Sequence, residues 1–238
     1  MCFFNSFTAK AISVANRYNR NRTRQLELFD DQQYVMPAYA HPNTIIIGLD
    51  KDPMIMEWGL IPSTAKPSDK ERYRKGNWFV NARAEELFHT WPYRTLIHRK
   101  RCIIPSTGFY EYHYYEVNGK PENTAYHISV KGEELFSIGG LYDRWIDPDT
   151  GEIHDTYTMI TTAANPLMKE IHNGGKNPYR MPFIIPKDLE EKWLDPSLAD
   201  EEITGLMIPF PESLMEAYEV DKKMLRSDPH NPDIKRPK

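Results

Sequence analysis

Four residues of this 238-residue chain have the types that do chemistry, and they lie far apart in the sequence: Cys2, Asn81, Glu111 and His172. If Met1 is removed, Cys2 carries a free α-amine and a thiol on one short carbon frame. Glu111 sits in "GFYEYHYYEV", where strand alternation puts Phe109, Glu111, His113 and Tyr115 on one face and Tyr110, Tyr112 and Tyr114 on the other. Aromatics on both faces make Glu111 a candidate for a partly buried carboxylate with a raised pKa; the alternative is a solvated glutamate on an edge strand. His172 closes "NPLMKEIHNGG", where it is either a site histidine or a cation complementing a helix C-terminus, with Gly174 at the helix stop. Asn81, before "ARAEELF", is either a site amide or a helix N-cap. Cys102, flanked by Ile103 and Ile104, reads as a buried core thiol.

The elements that must hold these residues are legible from periodicity. Short apolar runs at "NTIII", "MIMEWGLI", "WFVN", "RCIIP", "GFYEYHYYEV", "AYHISV", "LFSIGGLYDRW" and "TYTMITTA" read as strands, with turn signals at "VNGK" and "DPDTG". Helices are expected within 7–19, over 82–90, 93–100 and 166–172, and in "PKDLEEKWLD" and "PESLMEAYEV". The fold expected is α+β, a curved, barrel-like, mainly antiparallel sheet flanked by helices. No linker divides the chain, so residues 1–238 are expected to form a single domain ending in a charged tail of about ten residues.

Composition excludes several classes. No run of about 18 apolar residues spans a membrane. Two cysteines form no disulfide framework and no secretory segment precedes them, so a reducing compartment, the cytoplasm, is expected. Neither C-x-x-C nor H-x-x-x-H occurs, so no metal is expected, and neither a P-loop nor G-x-G-x-x-G suggests a cofactor. The net charge of −4 argues against a strongly basic nucleic-acid binder, yet residues 1–26 hold Lys10, Arg17, Arg20, Arg22 and Arg24 with no acid. Such a stretch permits an anionic ligand on one face. It also has the composition of a mitochondrial transit peptide, although cleavage would discard Cys2.

Taken in order, "MC", "WGLIP" at 58–62, "NARAE" at 81–85, "RCIIPSTGFYEY" at 101–112, "ITTAAN" at 160–165, "IHN" at 171–173, "RMPFIIP" at 180–186 and "IPFPESLMEAYEV" at 208–220 resemble the SRAP family. Its members are abasic-site processing proteins, once called SOS-response-associated peptidases. The resemblance spans nearly the whole chain. It implies that Cys2 is the reactive residue once Met1 is excised, surrounded by Asn81, Glu111 and His172, and that Arg83 contacts DNA phosphate. It implies covalent capture of abasic sites in single-stranded DNA, by a compact α+β unit built around a curved sheet. The chain departs from the family pattern in four places. Phe3 and Phe4 stand where Gly and Arg are usual, and Tyr112 stands where Trp is common. "GGKNPY" separates "IHN" from "RMP", and "VMPAYAHPNT" lacks the usual "APTQ".

That chemistry suits an N-terminal cysteine. An amine attacks the ring-opened sugar aldehyde to give an imine, and the neighbouring thiol adds to the imine carbon to close a five-membered thiazolidine. An α-amine with pKa about 7.7–8.0 is roughly a tenth neutral at pH 7, against fewer than about one lysine in a thousand. Tethering the thiol adds proximity, an effect of up to about 7–11 kcal/mol. In this reading Glu111 shuttles protons, His172 protonates the departing ring oxygen, and Asn81 orients amine or sugar. Arg83 with Arg94, Arg99, Lys100 and Arg101 tracks phosphates, and Tyr112 or Trp58 stacks on bases. The partner expected is single-stranded DNA containing abasic sites, bound by a monomer. Two other readings use the same residues: a peptidase or amidohydrolase with Cys2 as N-terminal nucleophile, and a non-covalent single-strand binder in which Cys2 is inert.

Overall fold

The computed structural model describes residues 3–29 and 31–238. In chain order its strands are β1 (Phe4–Phe7), β2 (Gln33–Pro37), β3 (Asn43–Ile46), β4 (Met54–Trp58), β5 (Asn81–Arg83), β6 (Arg101–Ser106), β7 (Gly108–Val117), β8 (Lys120–Val130), β9 (Phe136–Ile146), β10 (Ile153–Ala163), β11 (Arg180–Pro182), β12 (Ile184–Ile185) and β13 (Met215–Val220). The α-helices are short: α1 (Ala11–Arg17), α2 (Arg24–Leu28), α3 (Pro67–Lys75), α4 (Tyr93–Leu96), α5 (Pro166–Ile171), α6 (Glu190–Leu194) and α7 (Asp200–Leu206).

The class is α+β, but the expected single barrel-like sheet is not what forms. Two open sheets do. One is antiparallel, in the order β13-β8-β7-β1-β2; the other runs β12-β9-β10-β4-β3, with β5 and β11 pairing β10 and β6 pairing β9. The second sheet is mixed, because β10 runs parallel to both β4 and β5. Turn signals identify hairpins such as β7–β8, turned at Asn118 and Gly119 with φ of 51° and 73°. They do not say to which sheet the next strand belongs. The switch happens at Gly108. Ser106 ends β6 in one sheet and Gly108 opens β7 in the other, at φ 149°, and a Cβ there would lie 2.1 Å from His127 Nε2. Only glycine allows that crossing.

The two sheets bury one core between them. Trp58, Cys102, Ile104, Ile138, Tyr157 and Met159 from the mixed sheet meet Phe109, Ile128 and Val130 from the antiparallel one. The helices cover a second core that contains Val14, Leu26, Trp193, Leu194 and Ile203. Two expected helices do not form. Residues 215–220 pair with β8 from Met215↔Val130 onwards, and Asn81–Arg83 pairs with β10 before a 3-10 turn at Ala84–Glu86. In both, an available strand edge outweighs local helical spacing. Near the end of the chain Ile234 is fully buried and Lys235 Nζ donates to the Thr107 carbonyl at 3.3 Å.

Candidate functional site

Glu111 lies on β7, flanked by β1 and β8, where it pairs with Tyr126 while its neighbour Tyr110 pairs with Phe4. It is only 5% exposed, and its Oε1 has no hydrogen-bond partner among the described residues. Burial penalises the carboxylate and pushes its pKa up to about 8.

His172 is delivered by α5. Asn165 caps this helix by accepting from the Met168 amide at 2.8 Å, Pro166 occupies the first turn, and the buried Met168 and Ile171 fix the helix rotation. The His172 amide closes the last turn on the Met168 carbonyl, so the imidazole emerges at the helix stop. Its Nδ1 is 2.9 Å from the Arg180 carbonyl and 3.4 Å from the Arg180 amide, and the shorter contact favours the tautomer that donates from Nδ1. Nε2 then faces Glu111 Oε2 at 3.8 Å. That is too long for a hydrogen bond. Burial lowers the His172 pKa to about 4, opposite in sense to Glu111. The two groups therefore meet at neutral pH as a carboxylic acid facing a neutral imidazole, rather than as an ion pair. A protonated acid and an unprotonated base at one cavity can each exchange a proton with a bound reactant.

The pair opens into a cavity of about 290 Å³, walled by Phe3, Phe4, Tyr112 and Tyr114 on one side and residues 174–177 on the other. The "GGKNPY" stretch is thus part of the site. It is clamped to β7: Tyr114 N donates to Asn173 Oδ1 at 2.8 Å and Asn173 Nδ2 donates back to the Tyr114 carbonyl at 2.9 Å. Gly174 lies flat on the Tyr114 ring, where a Cβ would come within 2.6 Å of Cδ2. Arg83 reaches the same wall, its guanidinium donating to Asn177 Oδ1 at 2.6 Å and to Glu86 at 3.3 Å. Arg180, whose carbonyl holds His172, spans to Glu85 and to the Thr161 carbonyl.

The sequence candidates separate into groups. Glu111, His172 and Tyr112 share the cavity, and Arg83 touches its wall. Asn81 opens β5 opposite Met159, two residues before Arg83, and its carbonyl accepts from Tyr93 Oη at 3.2 Å. It is a strand residue, not a helix cap. Cys2 lies outside the described residues. Trp58 does not fit a stacking role: it is fully buried, stacked on Tyr157 with ring centroids 6.1 Å apart, and its indole N–H donates to the Val80 carbonyl at 2.7 Å. Arg101 is likewise structural, its guanidinium donating to the carbonyls of Trp193, Ile97 and Asp195. The basic N-terminal stretch is partly neutralised, since Arg17 pairs with Glu190 and Arg20 with Glu191. Cys102 is fully buried, and burial pushes its thiol pKa up.

A larger cavity of about 450 Å³ lies elsewhere, walled by Val130, Phe136, Ile184 and Phe210. Its two best-placed charged groups, Arg17 and Glu190, lock each other through two hydrogen bonds of 2.9 and 2.8 Å, so it offers less chemistry. Among the described residues no group of His, Cys, Asp and Glu is placed to hold a metal, and no helix is long and apolar enough to cross a membrane. Sequence reasoning missed Asn165, Asn177 and Arg180 as parts of the site's frame. Arg180 stood in view in "RMP", and Asn177 in a stretch that had looked only like an interruption.

The chain is similar to several known proteins. The chain is 34% identical over 180 residues to the abasic site processing protein YoqW of Bacillus subtilis, covering 75% of this chain and 74% of that one. It is 31% identical over 156 residues to the abasic site processing protein HMCES of Xenopus tropicalis, covering 59% of this chain and 44% of that longer one. A crystal structure of a protein from Bacteroides thetaiotaomicron superposes over the full length of both chains with a TM-score of 0.91 at 40% identity. The family model for SOS response associated peptidase (SRAP) matches residues 1–227, and the chain belongs to that family.

Proposed function

We propose that this protein processes abasic sites in single-stranded DNA by capturing the sugar aldehyde on Cys2 once Met1 has been removed. The observation that carries the reading is the buried pair of Glu111 and His172 at the end of an open cavity, one holding a proton and the other able to accept one. The amine adds to the aldehyde carbon to give a carbinolamine. Glu111 supplies the proton with which its hydroxyl leaves as water, and takes back the proton on nitrogen so that a neutral imine remains. The thiol then adds to the imine carbon, its proton ending on nitrogen, so that one thiazolidine and one water result. His172, unprotonated at Nε2, takes the anomeric hydroxyl proton and passes it to the ring oxygen as the cyclic sugar opens. Asn81, on the strand that also carries Arg83, orients the amine or the sugar. Arg83 and Tyr112 hold the strand by phosphate contact and stacking. Imine formation also makes the 3′ phosphate eliminable, so slow strand cleavage accompanies capture.

The test is a species that survives a denaturing gel when the mature protein meets single-stranded DNA bearing an abasic site. It should vanish in Cys2→Ala and whenever Met1 is retained. A mature protein that forms no such species refutes the reading. A peptidase using Cys2 would instead keep partial turnover in Cys2→Ser, and a purely non-covalent binder would not distinguish the variants at all.

A further inference from the structure

The cavity is chemically lopsided. One wall is aromatic: Phe4 meets Tyr112 edge-on at 6.1 Å, and the half-exposed Tyr39, outside the cavity lining, extends that wall at 6.2 Å from Phe4. The other wall is the segment 174–177, and Lys176 is the one cation among the described residues that line the cavity. Lys176 is exposed and enters none of the ion pairs found among the described residues, whereas neighbouring Arg83 is engaged by Glu86. The acid that shares the cavity, Glu111, is held largely in its uncharged form by burial, so it does not compete for the ammonium.

The mount is also firm. Besides the Asn173–Tyr114 clamp at its start, the segment is closed at its end by Tyr179 N donating to the His172 carbonyl at 2.8 Å and by Ala164 N donating to the Tyr179 carbonyl at 2.9 Å. A cation on a braced segment, facing an aromatic wall across a cavity of about 290 Å³, matches a nucleotide's own division into phosphate, sugar and base.

We infer that Lys176 is a phosphate contact of this cavity, binding the phosphate carried by the captured sugar while the Phe4–Tyr39–Tyr112 wall takes the flanking base. The inference rests on the abasic-site reading and extends it. It makes residues 174–179 a binding element that sets on which side of the cavity the DNA backbone lies.

The test uses two probes on wild type, Lys176→Ala and Lys176→Arg. The first is the affinity for a single-stranded oligonucleotide carrying a tetrahydrofuran abasic analogue, which cannot react, between 50 and 200 mM salt. Lys176→Ala should flatten the log–log salt slope by about 0.7, so that it loses about 2.6-fold less affinity than wild type across that range. Lys176→Arg should restore the slope. The second is the ratio of adduct rates, by intact mass, for 2-deoxyribose 5-phosphate over 2-deoxyribose; it should exceed one in wild type and collapse towards one in Lys176→Ala. An unchanged slope with an unchanged ratio overturns the inference while leaving capture intact. A flattened slope in a protein that forms no adduct supports Lys176 and refutes capture. A wild type that does not bind the oligonucleotide refutes both.

Discussion

Replacing Glu111 by Gln should make the protein more stable and slower at once, and the pH dependence of the difference is the informative part. The Glu111 carboxyl titrates near 4.5 when exposed and at about 8 in the fold. A group whose pKa is raised on folding contributes stability that is complete below the lower value and lost as pH climbs to the higher one. Between pH 5 and pH 8 this amounts to on the order of 4 kcal/mol. For a chain of this size that corresponds to a Tm change on the order of 10 °C. Glutamine cannot ionise, so the Tm of Glu111→Gln minus that of wild type should grow by about that much from pH 5 to pH 8 and level off above it. His172 works in the opposite sense, its lowered pKa giving stability that is present above pH 6.5 and lost towards pH 4. Taking the difference between two proteins that share His172 removes most of its contribution. The measurement is thermal unfolding at four pH values, with capture rates followed on denaturing gels in the same buffers. Wild-type capture should fall as pH passes about 8 and Glu111 gives up its proton, and the variant should be slow throughout. A Tm difference that stays constant with pH would show that Glu111 is already ionised at neutral pH, and the proton-transfer argument would fail with it.

Other outcomes follow from the same geometry. Asn165→Ala removes the cap of α5 and the hydrogen bond from its Nδ2 to the Phe210 carbonyl, so it should cost about 1–2 kcal/mol in thermal unfolding and depress capture, because α5 carries His172. Trp58→Ala should destabilise by about 3–5 kcal/mol in denaturant titrations, as expected for a core tryptophan. Tyr112→Ala removes a partly buried ring packed on Phe4, so it should lower Tm and weaken single-stranded DNA binding by about 1–3 kcal/mol in fluorescence titrations, the binding loss persisting well below Tm. Gly174→Val drives a side chain into the Tyr114 ring and should lower the capture rate while circular dichroism stays that of wild type.

Much of this was legible in the sequence. The strands β6 to β10 follow their apolar runs closely, and α5 lies within the expected 166–172. Alternation set Glu111 on a face with Phe109, His113 and Tyr115, whereas the cavity it opens into is walled by Tyr112 and Tyr114 together with Phe3 and Phe4. What periodicity could not supply was partnership. β5 is three residues long and reads as the start of a helix unless β10, some 80 residues later, is known to lie beside it. "PESLMEAYEV" reads as a helix unless the edge of β8 is known to be vacant. Trp58 and Arg101 looked like DNA contacts because residue type says nothing about burial. Both are held by backbone carbonyls that only the tertiary fold brings near. The interruption at 174–179 was visible as an insertion, but that it walls the cavity depends on Asn173 reaching Tyr114.

The parallel pairing of β10 with β4 and β5 has a consequence for how the chain is made. Tyr157 pairs with Trp58 across 99 intervening steps of the chain. At ribosomal speeds of about 5–20 residues per second, β4 waits about 5–20 s for that neighbour to be synthesised. During that interval "MIMEWGLI" is a nascent apolar strand with an unfilled edge, and it is the stretch a holding chaperone would be expected to cover until translation reaches β10.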